Sequence, residues 1–212
     1  MLDPADWESF RRTSHKIIDE MIDYMEAVRE QPTWQPVPDT VKRALSSDLP
    51  KEPQPIEAVY AEFAKNVLPY PTGNIHPRFF GWVHGSGTPA GALAEFMVAT
   101  RNSNVGGRDH AAVYVERQVI RWFCDLFGFG PAGSGILLGG TSLANFAGIL
   151  VARTARMGTQ VRGGGLDQSQ HKLTGYASLA THGCVRKAFE MAGLGSAALR
   201  IIGADKNHRI DV

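Results

Sequence analysis

At 212 residues the chain can hold one full domain, or one small and one partial domain. Its 43% hydrophobic and 20% charged content is that of an ordinary globular protein, and 22 basic residues scattered among 21 acidic ones leave a net charge of +1. No basic block or stripe exists, which argues against nucleic acid and anionic membrane as partners.

The N-terminus MLDPADWESFRR has no apolar core of the signal-peptide kind, and no apolar run is long enough to span a bilayer, so a cytoplasmic location is expected. Cys124 and Cys184 are too few for a disulfide framework. Asp3 is the predicted N-cap of a first helix, with Pro4 at its first position. Trp7, Phe10, Ile17, Met21, Met25 and Val28 then recur at helical spacing, and Pro32, Pro36 and Pro38 end the run. A short helix is expected from Asp39, and another over 55–67 with Val59, Phe63 and Val67 on one side. Residues 1–75 thus read as a helical arm whose apolar stripes need a further surface, for which a partner subunit is the expected candidate.

At residue 76 the texture changes, and 76–212 reads as the beginning of a second domain. HPRFFGWVHGSGTP (76–89) reads as an ordered loop or short strand, 91–101 as a helix, NSNVGGRDH (102–110) as a loop, and 111–127 as a strong helix. Then β and α alternate: a buried strand at 136–138, a helix over 142–156, a glycine loop at 163–165, a strand at 176–180, a helix over 182–191 and a strand at 199–202. That alternation predicts an α/β fold with a largely parallel sheet.

The chemistry gathers in two places. In LGGTSLAN (138–145) a strand runs through two glycines into Thr141 and Ser142 and then a helix. Glycines permit close backbone approach, the first helical N–H groups lack partners, and the hydroxyls add donors, which together make a phosphate cradle. The string is equally compatible with a glycine turn in which Thr141 or Ser142 is simply an N-cap. It is neither a Walker loop nor a GxGxxG dinucleotide turn. In YASLATH (176–182), His182 falls where a strand gives way to a helix, at the strand end where α/β proteins bind ligands. There it can present a flat ring to a ligand ring, or merely flank the helix. No metal-ligand set is expected.

Taken in order, HPRFFGW, Glu116 in a helix, GGTSLAN and YASLATHGCVRKA resemble the group II pyridoxal-phosphate-dependent decarboxylases, of fold type I. These include the aromatic-L-amino-acid, histidine and glutamate decarboxylases. The resemblance is strongest over 76–212. It implies that pyridoxal 5'-phosphate is the cofactor, with Thr141 and Ser142 on its phosphate and His182 stacked on its pyridine ring. It also implies that Trp82 lies in the segment lining the substrate side chain's pocket, although Trp82 reads equally as plain core. An L-amino acid, aromatic favoured, is the implied substrate, and a homodimer the implied assembly of the full-length enzyme. Gly73-Asn74-Ile75 ahead of the His-Pro step and the loop NSNVGGRDH depart from the family pattern, and both bear on substrate choice.

By the same resemblance, no catalytic residue is expected within this chain. The lysine that holds the cofactor covalently, and the carboxylate that pairs its ring nitrogen, belong well downstream of the stacking histidine. Lys172 precedes His182, Lys16 lies in the arm, Lys187 in the helix after His182, and Lys206 in the terminal loop. The expectation is therefore an incomplete fold type I large domain lacking its central strands, inactive by itself. The alternatives are a non-catalytic fragment or pseudo-enzyme that associates with an intact subunit, and an unrelated α/β phosphate-binding protein.

Overall fold

The computed structural model describes residues 3–166 and 172–211, and its packing divides the chain into two compact units, Met1–Ser103 and Asn104–Val212. The change of texture at residue 76 falls inside the first unit.

The first unit is helical. Helix α1 (Trp7–Glu26) starts later than the sequence suggests: Asp6, not Asp3, is its N-cap. The Asp6 carboxylate accepts the N–H groups of Glu8 at 2.9 Å and Ser9 at 3.2 Å, satisfying two donors that the first turn leaves orphaned. A 3-10 turn (Ala27–Glu30) closes α1 ahead of the prolines, and α2 (Asp39–Ala44) and α3 (Ile56–Asn66) follow. Polar contacts join α1 to α3: Thr13 donates to Glu57 at 2.6 Å, and the Tyr60 hydroxyl donates to Glu20. Sharing its proton with that carboxylate pushes Tyr60 up to about 12. No residue of α1 is buried, and Trp7 at its start is 62% exposed.

The connector after α1 is clamped to the approach to the aromatic segment. Gly73 has φ +90, and a Cβ there would lie 1.9 Å from the Thr33 carbonyl oxygen, so only glycine fits. Next to it His76 is buried, its Nδ1 accepting the Arg78 N–H at 3.0 Å and lying 3.1 Å from Thr33 Oγ1. Residues 76–88 contain no strand, and α4 (Pro89–Arg101) begins at a Thr88 cap that accepts the Gly91 N–H at 3.0 Å.

The second unit contains α5 (Ala111–Phe127), α6 (Thr141–Met157), a single turn α7 (Val161–Gly164) in place of the expected glycine loop, strand β1 (Gly175–Ser178), α8 (Gly183–Met191) and strand β2 (Leu199–Ile202). β1 and β2 pair in parallel, Gly175 opposite Leu199 through Ser178 opposite Ile202. The α8 side chain Phe189 lies against β1 so closely that a Cβ on Gly175 would stand 2.3 Å from its ring. Around that contact Cys184, Ala188, Ala192 and Leu199 are buried.

The strand expected at 136–138 is not formed. Among the described residues only β1 and β2 pair as a sheet, and 136–138 finds no ladder partner. The Leu137 N–H instead meets the Glu116 carboxylate of α5 at 3.3 Å. An apolar tripeptide becomes a strand only where a neighbouring strand takes its backbone groups. The α/β class stands, with a helical first unit and a parallel β1-α8-β2 unit in the second.

Candidate functional site

The glycine-hydroxyl loop opens α6. Gly140, with φ 105 and ψ 154, is the N-cap and offers no side chain, so neither Thr141 nor Ser142 serves as the cap. The first backbone bond into this turn is from Ala144 N–H to the Gly140 carbonyl at 3.1 Å. The N–H groups of Thr141, Ser142 and Leu143 precede it and have no intrahelical acceptor. The hydroxyls of Thr141 and Ser142 make no hydrogen bond to a described residue, and a Cβ added at Gly139 or Gly140 would meet nothing within 4 Å. Free donors therefore face open space at the positive end of a 17-residue helix.

His182 is the N-cap of α8. Its Nδ1 accepts the Cys184 N–H at 3.2 Å, so in the neutral ring the proton sits on Nε2. The flanking role is thus real, and it leaves the ring exposed in one orientation at the C-terminal end of β1. Two turns fix that end: Ala180 N–H donates to Ser178 Oγ at 3.2 Å, and Thr181 N–H to the Ser178 carbonyl at 3.0 Å.

Tertiary contacts bring these two sequence-distant places together. Asn145 of α6 donates to Cys184 Sγ in the first turn of α8 at 3.3 Å, and Arg153 of α6 donates to the Ala192 carbonyl at the end of α8 at 2.6 Å. Asn145 to Arg153 and Cys184 to Ala192 are the same span of eight residues, so α6 and α8 run parallel and in step. Packed helices lie about 8–10 Å apart between axes. The unpaired N–H groups after Gly140 and the ring of His182 therefore occupy the same end of one helix pair, and the two N-terminal partial charges add. Sequence reading missed Asn145 and Arg153. Their only signal is that they fall two turns apart on one face of α6.

A phosphorylated planar-ring ligand fits this set: donors without acceptors for the phosphate, glycines that leave room, and a flat ring beside them. Among the described residues no group of three or more His, Cys, Asp and Glu side chains could hold a metal ion, and no helix is long and apolar enough to cross a membrane.

Trp82 belongs to the first unit. It is 80% exposed, which rules out a core role within that unit, and its φ of 53 is left-handed. Its ring lies 6.1 Å from Phe79 and 5.5 Å from His84. Lys16 sits on α1, Lys187 on α8 and Lys206 in a turn beyond β2. Lys172 lies just ahead of β1, and His171 before it is outside the described residues.

Residues 38–212 match the model of the pyridoxal-dependent decarboxylase conserved domain. Tyrosine decarboxylase 1 of Narcissus pseudonarcissus is 31% identical over 215 residues, an alignment that takes in 97% of this chain and 41% of that protein. Among solved structures, the glutamate decarboxylase domain of a Vibrio parahaemolyticus diaminobutyrate-pyruvate transaminase and L-2,4-diaminobutyrate decarboxylase superposes with a TM-score of 0.82 at 24% identity, over 100% of this chain and 48% of that one. The Oryza sativa TDC solved with PLP and tryptamine gives 0.80 at 23% identity, over 98% and 44%. The fold is that of these decarboxylases, and the chain spans about two-fifths of the length of the curated relative it matches.

Proposed function

We propose, from the premise that this chain belongs to the pyridoxal-dependent decarboxylase family, that residues 1–212 are the N-terminal part of an enzyme that decarboxylates an L-amino acid, aromatic side chains favoured. Family membership removes the alternative of an unrelated α/β phosphate-binding protein. Pyridoxal 5'-phosphate is the cofactor of the family, and when bound it supplies an electron-withdrawing ring that takes up the electron pair left as carbon dioxide departs. Thr141 and Ser142, with the N–H groups beside them, hold its phosphate. His182, oriented by its bond from Cys184, lays its ring on the pyridine face, and Trp82 lines the pocket for the substrate side chain. The single observation that carries this reading is the parallel, in-step pair α6 and α8, which sets free phosphate donors and an exposed imidazole at one end.

Of the chain's seven lysines only Lys187 and Lys206 follow His182, and neither lies well downstream of it, so the anchoring lysine and the carboxylate for the ring nitrogen are expected outside residues 1–212. By themselves these residues grip the cofactor without turning substrate over. Trp7, Phe10 and Ile22 of α1 stay exposed, which favours the arm as the dimer contact of the full-length enzyme, and that enzyme acts in the cytoplasm without nucleic acid or membrane partners.

The test is cofactor titration of the full-length apoprotein, followed by absorbance. A hydrogen bond to a charged group contributes about 1.5–3 kcal/mol, and 1.4 kcal/mol is tenfold in Kd. Thr141→Ala and Ser142→Ala are each expected to weaken binding roughly tenfold or more. His182→Ala should weaken it and also alter the absorbance of the bound ring. Affinities within twofold of wild type for all three variants would place the cofactor elsewhere.

A further inference from the structure

Two side chains between the phosphate donors and the imidazole have no direct part in the cofactor grip: the Asn145 amide and the Cys184 thiol. Asn145 is half-buried in the second turn of α6, a position where leucine would be the better helix former. Its amide donates to Cys184 Sγ at 3.3 Å. Cys184 is 8% exposed, and its backbone N–H is the one that His182 Nδ1 accepts, at 3.2 Å. Two consecutive hydrogen bonds, meeting at Cys184, thus run from the turn behind the phosphate donors to the ring of His182.

The rest of the helix contact does little to fix this end. Cys184, Ala188 and Ala192 recur every four residues along α8 and all are buried, Ala188 and Ala192 at 1% exposure. A face of methyl groups lets helices approach closely, but its grooves are shallow and set their register weakly. Directional bonds supply what that face lacks. Arg153 holds the far end through the Ala192 carbonyl, and Asn145 holds the near end through Cys184. We propose that Asn145 and Cys184 are positioning residues that act through His182, setting where its ring stands relative to the donors of Thr141 and Ser142. This rests on the cofactor reading above.

The test titrates the full-length apoprotein with pyridoxal 5'-phosphate and, separately, with inorganic phosphate. Asn145→Leu removes the donor at similar volume, and Cys184→Ala removes the acceptor. Each is expected to weaken pyridoxal 5'-phosphate about 3- to 10-fold, the range of one neutral hydrogen bond, and to reduce the visible circular dichroism of the bound ring. Inorganic phosphate meets the donors but not the ring, so its affinity should stay within twofold of wild type. The double variant should lose no more than either single one, since both break the same bond. Cys184→Ser keeps an acceptor and should retain most of the affinity and dichroism, which separates a broken bond from a disrupted α8. In a His182→Ala background, Asn145→Leu should cause no further loss. The positioning role is overturned by unchanged cofactor affinity and dichroism in both single variants, or by equal losses for the two probes. Additive losses in the double variant, or a Cys184→Ser variant as impaired as Cys184→Ala, overturn it as well. If instead Thr141→Ala, Ser142→Ala and His182→Ala all bind the cofactor like wild type, the cofactor reading itself fails, and the inference with it.

Discussion

Replacing Gly140 by alanine separates two jobs that the glycine pair before α6 performs together. With φ 105 and ψ 154, Gly140 occupies a region open essentially to glycine alone. Holding an L-residue there costs about 1–3 kcal/mol, which for a chain of about 150–250 residues reads as about 2–4 °C in unfolding midpoint per kcal/mol. No atom obstructs the new methyl within 4 Å, so the cost is backbone strain and not a clash within the protein. Gly139 has the same open surroundings without a left-handed φ. Gly139→Ala is therefore expected to leave the midpoint within about 2 °C while placing a methyl group where the ligand's phosphate approaches. Calorimetry and cofactor titration of the two full-length variants form the assay. The expected result is that Gly140→Ala loses stability and affinity, whereas Gly139→Ala loses affinity alone, by roughly tenfold. If Gly139→Ala binds the cofactor as tightly as wild type and Gly140→Ala loses only stability, the glycines serve the turn and not the ligand, and the phosphate-cradle reasoning fails.

Arg153→Met removes the bond that ties α6 to the C-terminal end of α8 and should destabilise by about 1–2 kcal/mol in denaturant unfolding, near the low end for a charged donor because Arg153 Nε already lacks a partner; a loss below about 0.3 kcal/mol would show that the helix pair does not depend on it. Gly175→Ala drives a methyl into the Phe189 ring and should cost about 1–3 kcal/mol, most of it recovered in the double variant with Phe189→Leu; simple additivity of the two would refute the contact. Tyr60, ordinarily near 10, is pushed up to about 12 by Glu20, so its bond contributes fully below pH 10 and is lost as pH rises through 12. Tyr60→Phe should therefore flatten the alkaline limb of the stability profile between those values, and an unchanged limb would assign it to other groups.

The helices were legible because their signals are local. Apolar positions three and four residues apart, prolines and caps lie within the turns they specify, and α5 falls on the expected residues throughout. The same holds for β2, and for the conjunction of glycines and hydroxyls at the start of α6. Where the signal was local but duplicated, as with Asp3 and Asp6 ahead of α1, the choice fell to the carboxylate that reaches two orphaned N–H groups. Residues 136–138 show the opposite limit. Their apolar content suits a strand, but a strand exists through its neighbour, and no stretch of three residues encodes what lies beside it.

The site divides along the same line. Sequence by itself determined which groups carry chemistry: Thr141, Ser142, His182 and the glycines that leave room around them. Only the tertiary structure decided that these groups share an end, because that depends on Asn145 meeting Cys184 and Arg153 meeting Ala192 across 39 residues of chain. It also decided that Trp82 stands exposed beside His84 and is not packed in a core. Hydrogen bonds within a turn follow from residue order, whereas contacts between elements follow from how their faces meet, and residue order alone does not contain that meeting.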